Sequence, residues 1–501
     1  MGMALGKLEL RIHHVNDTTN EWLSRKELMN DPHRPRYHFL PPANWMNDPN
    51  GLLYWKGQYH LFYQYNPYAP IPQRLHWGHA VSADLVHWTD LPVALTPIPG
   101  RADASGCWSG SAIDHDGIPT LLYSAAHPQV VCLATSNDDL LTWHYYPRNP
   151  VISGPPAELL AGTGGNFRDP FVWKEGDCWY LLIGSKREGM GGLILLYRSS
   201  DLTTWEYLHP LLVGGVYPFL PEWMGVMWEC PNLLTFGDQR VLIFSVQNAE
   251  EVLLYPVYVT GTFENEQFLP NTQGIVASGG SFYAPQVLRD NQGRYIMWGW
   301  LMEDRGNTLS QAAGWSGVMS LPIIVGFLPG GQLSLEPAPE LAVLRERHWH
   351  YEELMVDEAH HFSLDESRGD CLEILTECEP DSDSEFGFTL RCSPDGQEQT
   401  CLVYQSELRL FSIECEQSSV NPEVDRRHSS VVVPTGAEKR VTFHIFLDHS
   451  VIEVFVNDQC YLASRIYPER FDSLGLNLLI RKGSVLVKSL DIWHLASIWN
   501  R

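Results

Sequence analysis

Five segments of the chain repeat one pattern: an apolar strand, a polar turn, then a second and more aromatic strand. They are Gly51–Trp55 with Tyr59–Tyr65, Ser109–Ile113 with Pro119–Ser124, Asp169–Trp173 with Cys178–Gly184, Cys230–Phe236 with Arg240–Val246, and Ala284–Leu288 with Arg294–Trp300. Their starts are separated by roughly 55 to 60 residues, a little above the usual blade periods of propellers. A second echo follows three of the units: Ser82-Ala83-Asp84-Leu85-Val86-His87-Trp88, Asp139-Leu140-Leu141-Thr142-Trp143 and Ser200-Asp201-Leu202-Thr203-Thr204-Trp205. It is expected on an outer strand of each unit. A single unit cannot bury its apolar face, so the units must stack. Five units of about four strands each predict a five-bladed β-propeller over residues 36–335. Chance similarity within a sandwich or β-helix would not keep five units and an echo in phase.

The fold class is therefore all-β, with helical signals only around Thr18 to Met29 and Pro339 to Arg347. Residues 336–347, opening on Pro337-Ala338-Pro339, read as a linker with a short helix. From residue 348 the segments alternate strictly, as in Ser429–Val433 and Val451–Val456. Residues 348–501 are predicted to form a separate β-sandwich, structural rather than catalytic. Residues 1–35 are an N-terminal extension with no legible role.

Three acidic residues occupy similar places in their units. Asp48 precedes Pro49, Asp169 precedes Pro170, and Glu229 stands one residue further back, before Cys230-Pro231. Each lies at the mouth of a unit's first strand, where proline has no ladder N–H to lose. First strands line the channel of a propeller, so acids at those ends in units one, three and four would converge on one cavity. Glycoside hydrolysis needs one ionised carboxylate and one protonated carboxyl. Asp48 lies between Asn47 and Asn50, which would keep it charged. Glu229 follows Met227-Trp228, an apolar neighbourhood that would keep its proton. Asp169 is next to Arg168, whose charge would hold it ionised for hydroxyl recognition. Taken singly, each acid also fits an ordinary turn; the three in phase do not.

The formal charge is −26, from 34 basic and 60 acidic residues. Such a surface repels phosphate backbones and anionic membranes, which argues against nucleic acid and membrane partners and leaves a neutral small molecule open. Eighteen Trp residues offer faces for sugar stacking, although most are expected in the core. Ten scattered cysteines include no C-x-x-C pair, so neither a zinc nor a redox motif is present and free buried thiols are expected. With no apolar h-region near Met1 and no apolar run of about 18 to 20 residues, a cytoplasmic protein is expected. Oligomeric state is not legible.

The run Asn44-Trp45-Met46-Asn47-Asp48-Pro49-Asn50-Gly51, with Phe167-Arg168-Asp169-Pro170 and Trp228-Glu229-Cys230-Pro231, resembles the motifs of glycoside hydrolase family 32, the invertase, levanase and inulinase group. Supporting matches are Gln64-Tyr65-Asn66-Pro67, Trp77-Gly78-His79-Ala80, Trp108-Ser109-Gly110, Phe282-Tyr283-Ala284-Pro285-Gln286 and Trp298-Gly299-Trp300. Leu447-Asp448, Ser450 and Glu453-Val454-Phe455 are similar to the C-terminal signature. The resemblance implies a retaining β-fructofuranosidase that splits a terminal fructoside of sucrose or sucrose 6-phosphate. Asp48 would be the nucleophile, Glu229 the acid/base and Asp169 the hydroxyl binder. Asn47, Gln64, Trp108, Ser109, Arg168, Tyr283 and Trp300 would line the fructose pocket. No metal or organic cofactor is implied. Pro72, Ser281 and Asn232 depart from the family pattern and bear on substrate choice, not on the carboxylates.

Alternatives of other kinds are an exo-inulinase, levanase or fructosyltransferase, an arabinan-type hydrolase, and a non-catalytic carbohydrate-binding propeller. The last has no use for a proton-holding acid. Lys186-Arg187 and Arg305 follow inner strands, where they read either as exposed loop charges or as binders of a sugar phosphate. His348, His350, His360 and His361 cluster loosely at the entrance of the sandwich and read either as metal ligands or, lacking a motif, as solvated or hydrogen-bonded. Asn16-Asp17-Thr18 fits a glycosylation sequon that has no meaning in a cytoplasmic protein.

Overall fold

The computed structural model describes residues 25–215, 224–359, 362–434 and 439–499. His360, His361 and the Asn16 sequon lie outside them. The described chain is built of seven sheets. Five come from its first two thirds, each made mainly of strands consecutive in sequence and joined by short antiparallel turns. Their first strands are Asn44–Trp55, Cys107–His115, Phe167–Glu175, Met227–Phe236 and Phe282–Arg289. Each of these strands packs on the next, and the fifth returns to the first. Trp315–Ser316 also pairs in parallel with Asn44 and Trp45, tying the last sheet to the first.

Burial explains why first and last strands differ in composition. Asn44–Trp55 is enclosed on both faces over most of its length, so it carries apolar and small residues without alternation. Gln267–Ile275, the last strand of its sheet, is exposed at many positions and reads polar. The Asp-Leu-Trp echo is not on an outer strand, as expected above, but in the turn that leads into it. Asp84 accepts the N–H groups of Val86 and His87, and Asp201 those of Thr203 and Thr204. The leucines that follow, Leu85 and Leu202, are fully buried at φ 67° and 66°. An aspartate that caps its own turn and a leucine that plugs it explain the repeat.

The last third forms a six-stranded and a five-stranded antiparallel sheet. Ile374, Phe388, Leu402, Phe411, Phe443, Leu462 and Ile492 fill one core between them. Their first strand, Arg345–Asp357, starts three residues before the expected boundary, and the linker helix is a 3-10 turn, Pro339–Leu344. Of the expected Thr18–Met29 helix, the described part is Arg25–Leu28. Gly306–Ala313 is a helix that periodicity did not disclose. Among the described residues no helix is long and apolar enough to cross a membrane.

Residues 25–38, from the end of the extension onward, run between the two parts. Arg25 bonds Asp90 and stacks on Trp499, while Asp31 accepts from Trp315 Nε1. At the centre His38 is fully buried, 2.8 Å from Asp448 and 2.9 Å from Glu453. Asp448 also accepts the backbone N–H groups of Arg36, Tyr37 and His38, and Glu453 accepts the Leu321 N–H and the Tyr461 hydroxyl. Burial alone would lower the His38 pKa, but the two carboxylates outweigh it and raise it to about 9. A raised folded-state pKa contributes stability that is full below the unfolded value of about 6.5 and is lost as pH rises through about 9. Denaturant titrations should show this loss between pH 7 and 10 and show it abolished in Asp448→Asn. His38→Leu, which strands two buried carboxylates, should cost about 3–5 kcal/mol at pH 7. An unchanged midpoint would show that the cluster does not hold the two parts together.

Candidate active site

The five first strands share one irregularity, a break in register near the middle of the site. It falls between Met46 and Pro49, Trp108 and Gly110, Arg168 and Phe171, Glu229 and Asn232, and Tyr283 and Gln286. Such bulges bend a strand and re-aim its side chains. In three strands the bulged residue stands before proline in a left-handed conformation: Asp169 at φ 63°, Cys230 at 48° and Ala284 at 49°. By register, Asp169 is therefore equivalent to Cys230, and Glu229 to Arg168 and Tyr283.

The N–H of each bulged residue needs an acceptor. Asp169 N bonds Ser124 Oγ at 2.8 Å, and Ala284 N bonds Ser245 Oγ at 3.0 Å, each serine lying on the second strand of the preceding sheet. At the corresponding place the third sheet has Gly184. A Cβ there would sit 2.4 Å from the Trp228 carbonyl oxygen, so no serine fits. Asp169 itself takes over: its Oδ2 accepts Cys230 N at 3.1 Å. One aspartate thereby fixes the backbone next to Glu229.

The predicted site residues meet in one network. Ser109 Oγ donates to Asp48 Oδ2 at 2.6 Å and Asn47 Nδ2 to Oδ1 at 3.1 Å. Cys230 Sγ lies 3.7 Å from Asp48 Oδ2 and 3.6 Å from Asp169 Oδ2, joining the two aspartates. Glu229 accepts from Arg168 Nε at 2.9 Å on one oxygen, and from Gln247 Nε2 at 2.6 Å and Tyr283 Oη at 2.7 Å on the other. Gln64 is connected through Asn50, whose amide, oriented to satisfy both ends, donates to Ser109 and accepts from Gln64 Nε2. Trp300 packs edge-on against Trp45, and with Tyr283, Ala284, Met302 and half-buried Trp108 forms an apolar wall. Gln64 Oε1 and Trp300 Nε1 are buried with no hydrogen-bond partner among the described residues. Unmet polar atoms beside three carboxyls suit a ligand rich in hydroxyls.

The electrostatics differ from what the neighbours in sequence imply. Burial, opposed by Ser109 and reinforced by Glu229, raises Asp48 to about 6. Burial also raises Asp169 above the usual carboxylate range despite Arg168, because that guanidinium is spent on Glu229 and two further acids stand close by. Trp228 does not pack around Glu229 as expected. On a strand successive side chains face opposite ways, and Trp228 points off to bond Met224 O. Burial and the neighbouring acids thus favour the protonated forms of Asp48 and Asp169.

The sequence reading named no role for Cys230, Gln247, Gln129 or Asn166. The last two hold Arg168 Nη1 at 3.4 and 2.8 Å. Gln247 had a signal in its place at the end of the second strand, opposite Met227; Cys230 lies on the strand Met227–Phe236, and Gln129 and Asn166 lie in connections between strands. Arg305 is not a loop charge near the site: it is buried, paired with Glu303 and stacked on Trp315. Lys186 faces Glu251 at 3.9 Å, and Arg187 is exposed. Asn232 donates to Cys230 O and Pro285 O and accepts from Val287 N, which only an amide can do. Ser281 faces Asp304 and Arg465 N, not the carboxylates.

Residues 38–337 match the glycosyl hydrolases family 32 N-terminal domain, and residues 340–494 the family 32 C-terminal domain. The chain belongs to glycosyl hydrolase family 32. It is 34% identical over 498 residues to a sucrose-6-phosphate hydrolase of Zymomonas mobilis, covering 94% of both chains. With a levanase of Bacillus subtilis it shares 32% identity over 94% of this chain and 71% of that protein. Among solved structures, fructan 1-exohydrolase IIa of Cichorium intybus superimposes with a TM-score of 0.84 at 26% identity, over 93% of this chain and 98% of that one. The family 32 enzyme is a glycoside hydrolase, and its backbone constraint at Gly184 can be tested. Gly184→Ala should push Trp228 and Glu229 out of place and lower kcat/KM by about 10²-fold with the fold retained by circular dichroism. Unchanged turnover would show that the contact does not position Glu229.

Proposed function

We propose that the protein is a retaining β-fructofuranosidase acting on sucrose or sucrose 6-phosphate. On this reading the five sheets are the blades of a five-bladed β-propeller spanning residues 36–335, and residues 348–501 are a β-sandwich. The observation that carries the proposal is the meeting of Asp48, Asp169 and Glu229 within one network of charge and hydroxyl donors. Asp48 attacks the anomeric carbon of the fructosyl group and becomes an ester. Glu229 gives its proton to the departing glycosidic oxygen and then takes one from the water that opens the ester. Esterification removes the Asp48 charge beside Glu229, which favours its second role as base.

Asp169 binds fructose hydroxyls while keeping the Cys230 backbone in register. Asn47, Gln64, Ser109 and Trp300 present the polar atoms, and Trp108 and Tyr283 the walls. Relatives bearing the name sucrose-6-phosphate hydrolase support the substrate class, and the levanase keeps a fructan substrate as the second reading. All ten cysteines are unpaired, which suits a reducing compartment such as the cytoplasm.

Incubation with sucrose, sucrose 6-phosphate, inulin and levan, with free fructose as readout, tests the proposal. Fructose is expected from one or both of the first two, and none from any of the four overturns it. Asp48→Asn should abolish turnover, since an amide cannot form the ester. Glu229→Gln should lower kcat by about 10²- to 10⁴-fold. Because Asp48 must be ionised to attack, kcat/KM should fall as pH drops through about 6. Ser109→Ala removes the bond that lowers this pKa, so the acid limb should move to higher pH. A limb that stays in place would remove Asp48 as the titrating nucleophile.

A further inference from the structure

We propose that His348, His350 and Asp491, on the outer face of the C-terminal part, form a binding site for a late first-row divalent cation, with Zn²⁺ the preferred occupant. His348 and His350 are two apart on the strand Arg345–Asp357 and both point outward, while Trp349 between them points into the core. Asp491 lies on the neighbouring strand Ser484–Leu495, directly opposite His350. One oxygen of Asp491 meets both rings, at 2.8 Å from His348 Nε2 and 2.7 Å from His350 Nδ1. The three ligand atoms therefore converge within 4.8 Å of one another.

Two further contacts separate this group from a chance surface pair. Glu352 stands 2.9 Å from the other nitrogen of His350, the arrangement in which a carboxylate takes the distal N–H and leaves the near nitrogen free to ligate. The His348 ring lies flat on Trp493, 4.7 Å between centroids and 6° between planes, which fixes its direction. Both ligands are thus oriented before any ion arrives. Two imidazoles and a carboxylate are a donor set that zinc accepts, with a fourth position left for water. At metal–ligand distances near 2.0–2.1 Å, tetrahedral ligands sit about 3.3 Å apart. The N···O separations need to open by only about half an ångström as the ion replaces the shared protons. Among the described residues Arg345–Asp357 is an edge strand, paired only with Ser484–Leu495. A bound ion would clip that edge to its neighbour at the start of the C-terminal part.

The test is isothermal titration of the full-length, EDTA-treated protein with ZnCl₂, alongside His350→Ala, His348→Ala/His350→Ala and Asp491→Asn. One equivalent is expected to bind the native protein, at least tenfold more weakly to His350→Ala and Asp491→Asn, and not at this site in the double variant. Zinc should raise the melting temperature of the native protein and not of the double variant, while sucrose hydrolysis without zinc stays the same in all four. X-ray absorption should show nitrogen and oxygen at about 2.0–2.1 Å and no sulfur. Absence of binding, equal binding by native protein and double variant, or a sulfur ligand together with loss of binding in Cys371→Ser would each overturn the proposal. The last result would put the ion at Asp370, Cys371 and His449 instead.

Discussion

The bond from Cys230 N to Asp169 Oδ2 joins the third sheet to the fourth where the active site is built. At the two other left-handed bulges, Asp169 and Ala284, a serine hydroxyl from the preceding sheet satisfies the N–H. Here the strands approach too closely, with Gly184 against the Trp228 carbonyl, and only a longer side chain arriving from the adjacent bulge can reach. Asp169 meets that need because its own left-handed backbone at φ 63° turns it toward the neighbouring strand. The same Oδ2 also lies 3.6 Å from Cys230 Sγ, which in turn reaches Asp48, so one oxygen serves both the backbone and the network. The carboxylate is held there by structure as well as chemistry.

That arrangement places Glu229 and Asp169 beside a single guanidinium, with Asp48 close to both acids. The crowding opposes ionisation, and it is tolerated because Arg168 is itself held by Asn166 and Gln129 and cannot swing away. An acid/base pair needs one carboxyl ionised and one able to hold a proton near neutral pH. Burial and mutual repulsion push the two aspartates, Asp48 and Asp169, toward the protonated form without a dedicated apolar pocket for either.

The sequence disclosed the repeating sheets and all three acids because both are local and periodic. In-phase strands appear as recurring apolar runs, and Asp-Pro and Cys-Pro mark bulges that recur at one register. What stayed hidden depends on contacts across sheets. Gln247, Gln129 and Asn166 belong to no recurring motif, and nothing in their neighbours says which acid or cation they meet. The environment of Glu229 was misread for the same reason: Trp228 is adjacent in the chain but faces the opposite side of the strand. The Asp-Leu-Trp echo was seen as a repeat but assigned to a strand, since a leucine at positive φ in a buried turn has no composition signal.

The two parts of the chain are joined by buried ions rather than by apolar surface alone, and this bears on the site. Around Glu303, Arg305 and Arg465 oppose the effect of burial and, with Tyr467 Oη, hold its pKa near 2. Buried ion pairs are weak sources of stability but strict about geometry, since a displaced partner leaves a charge uncompensated. Asp448, which accepts three successive backbone N–H groups, admits one register of residues 36–38 and no other. Ser281 lies in the same interface, bonded through its N–H to Ala463 O and through its hydroxyl to Asp304. Two residues later Tyr283 donates to Glu229. Among the described residues the C-terminal part contributes no group to the carboxylate network, yet it anchors the start of the strand that delivers one of the three donors to Glu229.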